Sequence, residues 1–305
     1  MHGEDPGQAL AAGVGGQGYS TERRTSPFSD LLDGAQVNMI SLQVNGPMTK
    51  ASVVVAVPAR LSSSRFPGKV MAEIGGKPML CHVLEGCKRA EGVAAVLACS
   101  DSSEVLEAVR AWGFEGLATA ESCSSGSERL ASVIGELVAA GGAGAEQTLV
   151  INVQGDQPLL DPRIVETMIQ KAMQPDGSWL AVITPVYPLP AAKVHDPNVV
   201  KVLRAADGRA ITFSRSALPH VRDLPPEEWH QATTYWGHVG IYGYRADVLA
   251  GWSGLRHSEL EGLEKLEQLR LVEAGIPITT FAVENDCLSV DTPEQLVQAR
   301  TLLGL

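Results

Sequence analysis

Continuous apolar runs alternate along this chain with segments whose apolar positions recur every three or four residues. Val53 to Val57 is uninterrupted and mostly β-branched. That is the pattern of a parallel strand buried on both faces, and it stops at Pro58. Ala94 to Cys99 and Thr148 to Val153 repeat it. Between these runs, Pro78 opens an amphipathic helix with Met79, Val83 and Leu84 on the inner side and Lys88 and Arg89 in its last turn. Ser102 to Trp112 reads as a helix with a serine cap. SSGSERLASVIGELVAAGG reads as a small-residue turn leading into a third helix that ends at Gly141 and Gly142. Asp161 and Pro162 start a helix running to about Ala172. This β-α alternation predicts an α/β fold with a mostly parallel, doubly wound sheet.

The second half of the pattern is more irregular. Val199 to Leu203 and Ala210 to Phe213 flank AADGR, which predicts a β-hairpin insertion. Trp236 to Tyr244 reads as one strand, and Leu260 to Ala274 as one helix with Leu263, Leu266, Leu269 and Val272 on a single stripe. Ile278 to Val283 predicts a last strand and VDTPEQLVQAR a capped terminal helix. No internal repeat is visible.

The loop after the first strand carries Arg60, Arg65 and Lys69, with Ser62, Ser63, Ser64 and Gly68 offering backbone amides. A cationic loop is ordinarily only a solvated turn. Here it follows the carboxyl end of a buried strand, where ligands of open α/β sheets sit, and its chemistry suits a triphosphate. Asp156 stands in QGDQP directly after another buried strand, where a carboxylate needs a cap or a cationic partner. Asp291 precedes the terminal helix and reads equally as a cap on Thr-Pro. Two such carboxylates on one cleft would offer hard oxygen ligands to Mg²⁺.

Composition narrows the classes. The 305 residues carry a formal net charge of -11, which disfavours non-specific nucleic-acid binding and leaves anionic ligands to local cations and a metal. Five cysteines, Cys81, Cys87, Cys99, Cys123 and Cys287, form no CxxC pair and predict buried thiols in a reducing compartment. No apolar run is long enough for a membrane span. The first strand is not followed by GxGxxG, which argues against a nicotinamide dehydrogenase. The first 47 residues are rich in Gly, Ser, Gln and Asp, carry Arg23 and Arg24 against five acids for a net charge of -3, and lack a signal-peptide pattern. Residues 1–49 therefore predict a disordered extension. Residues 50–305 form the folded domain, and Met48 is a candidate true start.

PARLSSSRFPGK, GGKPMLCHVLE, NVQGDQPLL, DPNVVKV, TFSRS, HVGIYGYR, LEKLEQLR and VDTPEQL occur in this order from about Ser52 to Arg300. Together they resemble the 3-deoxy-manno-octulosonate (Kdo) cytidylyltransferases. The resemblance implies a Rossmann-like nucleotidyltransferase fold, a cytoplasmic homodimer, and the reaction of CTP with Kdo to give CMP-Kdo and pyrophosphate for lipopolysaccharide synthesis. It implies Mg²⁺ on Asp156 and Asp291, and Arg60, Arg65 and Lys69 on the triphosphate. Ser127 and Arg129 would lie by the cytosine, while SSGSERL equally reads as a capping box of Ser125 with Glu128. Gln154, Arg215, His238 and Glu267 would take the sugar acid, although by residue type alone His238 reads as core and Glu267 as solvent-facing.

Gln157 stands where the family usually shows Glu, and Leu288 and Ser289 where Gly is common. The alternative substrate is an 8-amino-Kdo or sialic-type acid, and the alternative class is a catalytically idle nucleotide-binding regulatory relative.

Overall fold

Residues 51–63 and 66–304 are described by the structure, a computed structural model of the chain. The extension over residues 1–49, Met48 within it, and the loop residues Ser64 and Arg65 lie outside the described residues.

β1 (Ser52–Pro58) is buried along all but its last residue, as its valine run predicts. A short antiparallel pair, β2 (Glu73–Ile74) and β3 (Lys77–Pro78), leads into α1 (Met79–Lys88). β4 (Ala95–Ser100) and α2 (Ser103–Ala111) follow, with the Ser102 hydroxyl accepting from the Val105 amide at the predicted cap. β5 (Glu115–Ala118) then pairs with β4 as an edge strand. The helix expected after it is two helices, α3 (Gly126–Ala131) and α4 (Ile134–Gly141). Ser132 sits at the break and turns its hydroxyl back onto the Arg129 carbonyl at 2.7 Å, a local bond that competes with helix continuation. Gly142 closes α4 in the left-handed conformation, φ 68°.

β6 (Thr148–Asn152) is fully buried, and α5 (Pro162–Ala172) starts at its Asp161 cap. β7 (Val182–Pro188) was not legible in the pattern because Pro185 and Pro188 interrupt it. Pro185 is tolerated because it lies between the stretch of β7 that pairs with Gly243 and Tyr244 and the stretch that pairs with Trp236 to His238. β8 (Lys201–Arg204) and β9 (Ala210–Ser214) form the expected antiparallel hairpin. After α6 (Trp229–Ala232), the strand expected over Trp236 to Tyr244 is β10 (Trp236–His238) and β11 (Tyr242–Arg245). The backbone curls between them, with the Ile241 amide on the Val239 carbonyl at 2.7 Å.

α7 (Ala246–Ala250) follows. The single helix expected over Leu260 to Ala274 is instead α8 (Glu259–Glu264) and α9 (Leu269–Glu273), separated by Lys265 at φ 55°. The break splits the predicted stripe: Leu266 and Leu269 are buried, whereas Leu263 is 73% exposed. β12 (Ile278–Ala282) and α10 (Pro293–Leu302) close the chain.

The α/β architecture is doubly wound. Val53, Val55 and Val57 of β1 join α1, α2 and α5 in one core, and Val54 and Ala56 join Leu130 of α3, Leu137 of α4 and Leu249 of α7 in another. Strand order is β5-β4-β1-β6-β11-β7-β10-β8-β9, with β12 on β7. β5, β4, β1 and β6 are parallel, β10 and β11 run antiparallel to β7, and β12 runs parallel to it. β10 passes closely over Tyr187: a Cβ on Gly237 would lie 2.5 Å from the tyrosine Cε1 and 2.7 Å from Leu189 Cδ2. Gly237→Ala is therefore expected to lower stability by about 1–3 kcal/mol, read as a fall in urea midpoint at unchanged slope.

This topology positions the site. β4, β1 and β6 are parallel neighbours, so Asp101, the Arg60 loop and the Asp156 turn all leave the sheet at one edge. β6 and β7 both run antiparallel to β11 and are therefore parallel to each other, and β12 follows β7. The segment after β12 thus emerges at the same edge, where the Val290 amide donates to the Asp156 carbonyl at 2.8 Å.

Candidate functional site

The loop after β1 is closed at its base by the Gly68 amide on the Leu61 carbonyl, 2.9 Å. Gly68 takes φ 72°, a conformation that favours glycine, and it starts the 3-10 turn Lys69–Met71. Its amide is therefore engaged within the loop and is not open to a ligand as the sequence suggested. Val70 is buried and anchors the turn. Lys69 reaches from this anchor into a cleft of about 220 Å³ lined by Arg60, Ser63, Lys69, Ser125, Arg129, Gln154, Asp156 and Asp291, among others. A larger cavity, about 670 Å³, lies by the β8–β9 turn against Arg204 and Trp236 and holds none of the nominated residues.

Asp156 and Asp291, 135 positions apart in sequence, converge on one cation. Lys69 Nζ donates to Asp156 Oδ2 at 2.5 Å and to Asp291 Oδ1 at 2.7 Å. Burial pulls the ammonium pKa down, but the two carboxylates outweigh it and hold the value above the ordinary lysine range. Asp291 is not the cap of α10. Thr292 takes that role in a reciprocal capping box with Gln295, whose Oε1 accepts from the Asp291 and Thr292 amides. Asp291 itself lines the cleft, with its carboxylate on Lys69.

Arg129, 3% exposed, is held by Asp101 Oδ2 at 3.1 Å and by the Thr119 hydroxyl. Ser125 caps α3 by accepting from the Glu128 amide at 3.2 Å, and Glu128 returns its carboxylate to Ser124. Ser127, expected at the cytosine, is turned the other way. It is fully buried, bonded to Tyr244 OH at 3.0 Å and donating to Glu267 Oε1 at 2.9 Å. As the second residue of α3 it faces the sheet, and Ser125 and Gly126 line the cleft in its place.

A polar seam runs inward from the cleft. Gln154 Nε2 donates to Asn152 Oδ1 at 3.1 Å, and the α3 start at Gly126 packs beside both side chains. Asn152 lies opposite Tyr242 in register, and the Tyr242 and Tyr244 rings stack at 5.6 Å. His238 stands 5.2 Å from the Tyr242 ring and contacts Thr184 Oγ1 through Nε2 at 3.1 Å. The Thr184 hydroxyl has one proton and makes its shorter contact, 2.7 Å, with the Ile241 carbonyl. His238 Nε2–H is thereby assigned as donor, with Nδ1 as the open acceptor. Burial pushes the His238 pKa down to about 3, which keeps the ring neutral.

The break at Lys265 swings Glu267 inward onto Ser127, the reverse of the solvent-facing reading of an unbroken helix. Burial raises its pKa, and among the described residues Oε2 has no partner, nor do Asn152 Nδ2 and Tyr242 OH. Polar atoms left open on one seam suit a ligand rich in hydroxyls. Asn152, Tyr242 and Thr184 were not nominated from sequence. An asparagine at the end of an otherwise apolar strand was the available signal.

Arg215 is placed differently. Its Nε donates to the Glu264 carbonyl at 2.7 Å and Nη1 to the Pro197 carbonyl at 3.1 Å, so it ties β9 to the end of α8 and does not line the cleft. Arg65 lies outside the described residues. Gln157 and Ser289, both departures from the family pattern, meet: Gln157 is 2% exposed and its Nε2 contacts Ser289 Oγ at 3.4 Å. Leu288 packs with the Val290–Leu296 cluster behind them.

Two carboxylates arranged around one positive charge fit Mg²⁺, which uses few protein ligands and completes its shell with water and phosphate oxygens. No group of three or more His, Cys, Asp or Glu suited to a metal occurs among the described residues.

A family model described as cytidylyltransferase matches residues 54–279. The 3-deoxy-manno-octulosonate cytidylyltransferase of Escherichia coli is 41% identical over 257 residues, covering 84% of this chain and 97% of that protein. The enzyme of the same name from Myxococcus xanthus is 37% identical, covering 84% and 98%. A solved structure of CMP:2-keto-3-deoxy-manno-octonic acid synthetase complexed with CTP matches with TM-score 0.75 and 39% identity over 83% of this chain and 98% of that one. 4-diphosphocytidyl-2C-methyl-D-erythritol synthase, 16% identical with TM-score 0.55 over 83% of this chain and 99% of its own, shares the fold.

Proposed function

Because the chain belongs to the 3-deoxy-manno-octulosonate cytidylyltransferase family, we infer that it transfers CMP from CTP to Kdo, giving CMP-Kdo and pyrophosphate. The observation that carries the reading is the convergence of Asp156 and Asp291 on Lys69 in a cleft that also holds Arg60.

In this reading the anomeric hydroxyl oxygen of Kdo attacks the α-phosphorus of CTP. The new O–P bond forms as the bond to pyrophosphate breaks, and the hydroxyl proton is released. Arg60 and Lys69 neutralise the β- and γ-phosphates and the departing pyrophosphate, so charge developing on the leaving group meets fixed cations. Arg129, preset by Asp101, and Ser125 flank the nucleotide. Gln154, Tyr242, neutral His238 and Glu267 orient the sugar hydroxyls along the seam. Asp156 and Asp291 would hold Mg²⁺, which supplies charge neutralisation at the phosphates when bound.

A cytoplasmic location belongs to the proposal. All five cysteines are free and buried, with Cys87, Cys99 and Cys287 pushed up to about 12 by burial, which suits inert thiols in a reducing compartment. No described helix is long and apolar enough to cross a membrane. The homodimer implied by the resemblance is part of the same proposal.

The direct test is pyrophosphate release by the purified protein with CTP, Mg²⁺ and Kdo. Release above the no-sugar control is expected. Release only with an 8-amino-Kdo or sialic-type acid would assign the other substrate, and CTP binding without release with any acid would leave the idle-relative reading.

A further inference from the structure

Lys69 occupies the position that a bridging metal needs. Its Nζ lies within 2.7 Å of one oxygen of each aspartate, and the three side chains are largely enclosed, at 13%, 19% and 28% exposure for Lys69, Asp156 and Asp291. A divalent ion bridging these carboxylates would bring a second positive charge against the ammonium in a partly desolvated cleft, where like charges repel strongly. The main chain under Lys69 is pinned: its amide bonds the Phe66 carbonyl at 3.2 Å and the next residue is buried. The side chain above it is a flexible four-carbon stem. Exchange therefore asks only for a new rotamer. Arg60, exposed at the mouth of the same cleft, has no partner among the described residues and is available to meet an incoming triphosphate first.

We propose that Lys69 is a built-in counter-cation of the Asp156–Asp291 pair, which divalent metal must displace and which nucleotide phosphate draws away. The free protein then binds metal weakly, and nucleotide and metal enter cooperatively, with Lys69 as the coupling residue. The lysine also keeps the two carboxylates from repelling each other before substrate arrives. This rests on reading the pair as the metal carboxylates.

The probe is Mn²⁺ alone, without nucleotide, counted by electron paramagnetic resonance on the purified full chain and on Lys69→Met and Lys69→Gln. Both variants are expected to bind Mn²⁺ about tenfold or more tightly than the wild type, within the usual range of coupling between sites. Their melting temperatures should also rise on Mn²⁺ addition by more than that of the wild type, a readout independent of turnover. If one variant does not fold, the other carries the test. Affinity equal to or weaker than wild type in the folded variants would overturn the displacement. The double variant Lys69→Met with Asp156→Asn separates the two layers. If it binds Mn²⁺ as tightly as Lys69→Met, the metal sits elsewhere and the carboxylate reading itself falls. Absence of Mn²⁺ binding in every form overturns both.

Discussion

Asp156→Ala is expected to lower kcat/KM for CMP transfer by about 10³-fold or more, while the protein still unfolds in one cooperative transition. The reason lies in what the substitution removes and what it leaves. It removes one of the two carboxylates that surround Lys69, halving the pair proposed to hold Mg²⁺. It leaves the turn in place, because the contacts that join this turn to the Asp291 segment include one from the Val290 amide to the main-chain carbonyl of residue 156 and one from Gln157 to Ser289, and neither uses the Asp156 side chain. No core cavity opens either, since the side chain lines the cleft. Turnover and far-UV melting on the same preparation check both halves. Near-normal turnover at limiting Mg²⁺ would remove Asp156 from the metal and with it the assignment of the cleft.

The same residues show what a sequence can carry. β1 and β6 were legible because a strand buried on both faces must be continuously apolar, and their parallel pairing sets the Arg60 loop beside the Asp156 turn. The caps of α2 and α5 were legible because capping is local chemistry, whereas the cap of α10 falls on Thr292, one residue after the aspartate that the sequence offered. What escaped was decided by tertiary partners. β7 looks like a proline-broken loop until its neighbours supply a place where Pro185 needs no donor. The break falls at Lys265, a residue type that does not announce it, and it separates exposed Leu263 from buried Leu266 and delivers Glu267 to Ser127. Four cleft residues, Arg60, Lys69, Asp156 and Asp291, came from motif and position together. Ser127, a candidate for the cytosine by motif, bonds Tyr244 and Glu267, because a motif names a residue but not the direction in which its helix turns it.

Glu267→Gln separates binding from stability. The carboxylate is buried against Tyr242 and Tyr244, accepts from Ser127 through one oxygen, and has no partner on the other among the described residues. Burial raises its pKa above the unfolded value of 4.5. The sign follows from linkage: the folded state holds the proton more tightly than the unfolded chain, so this group's contribution is most favourable below pH 4.5 and declines as pH rises through the folded value. At neutral pH an ionised Glu267 therefore destabilises the free protein relative to a neutral isostere that keeps the bond from Ser127. Glu267→Gln is expected to melt higher than wild type at pH 7 and to lose that advantage on acidification to about pH 4. On the proposed function, the same substitution also removes a charged acceptor for the sugar hydroxyls. It should lower kcat/KM for Kdo by about 10–100-fold, chiefly through KM, with CTP affinity unchanged. A variant that melts no higher at neutral pH would show that the carboxylate is already compensated in the free protein. Unchanged KM for Kdo would remove Glu267 from the sugar site.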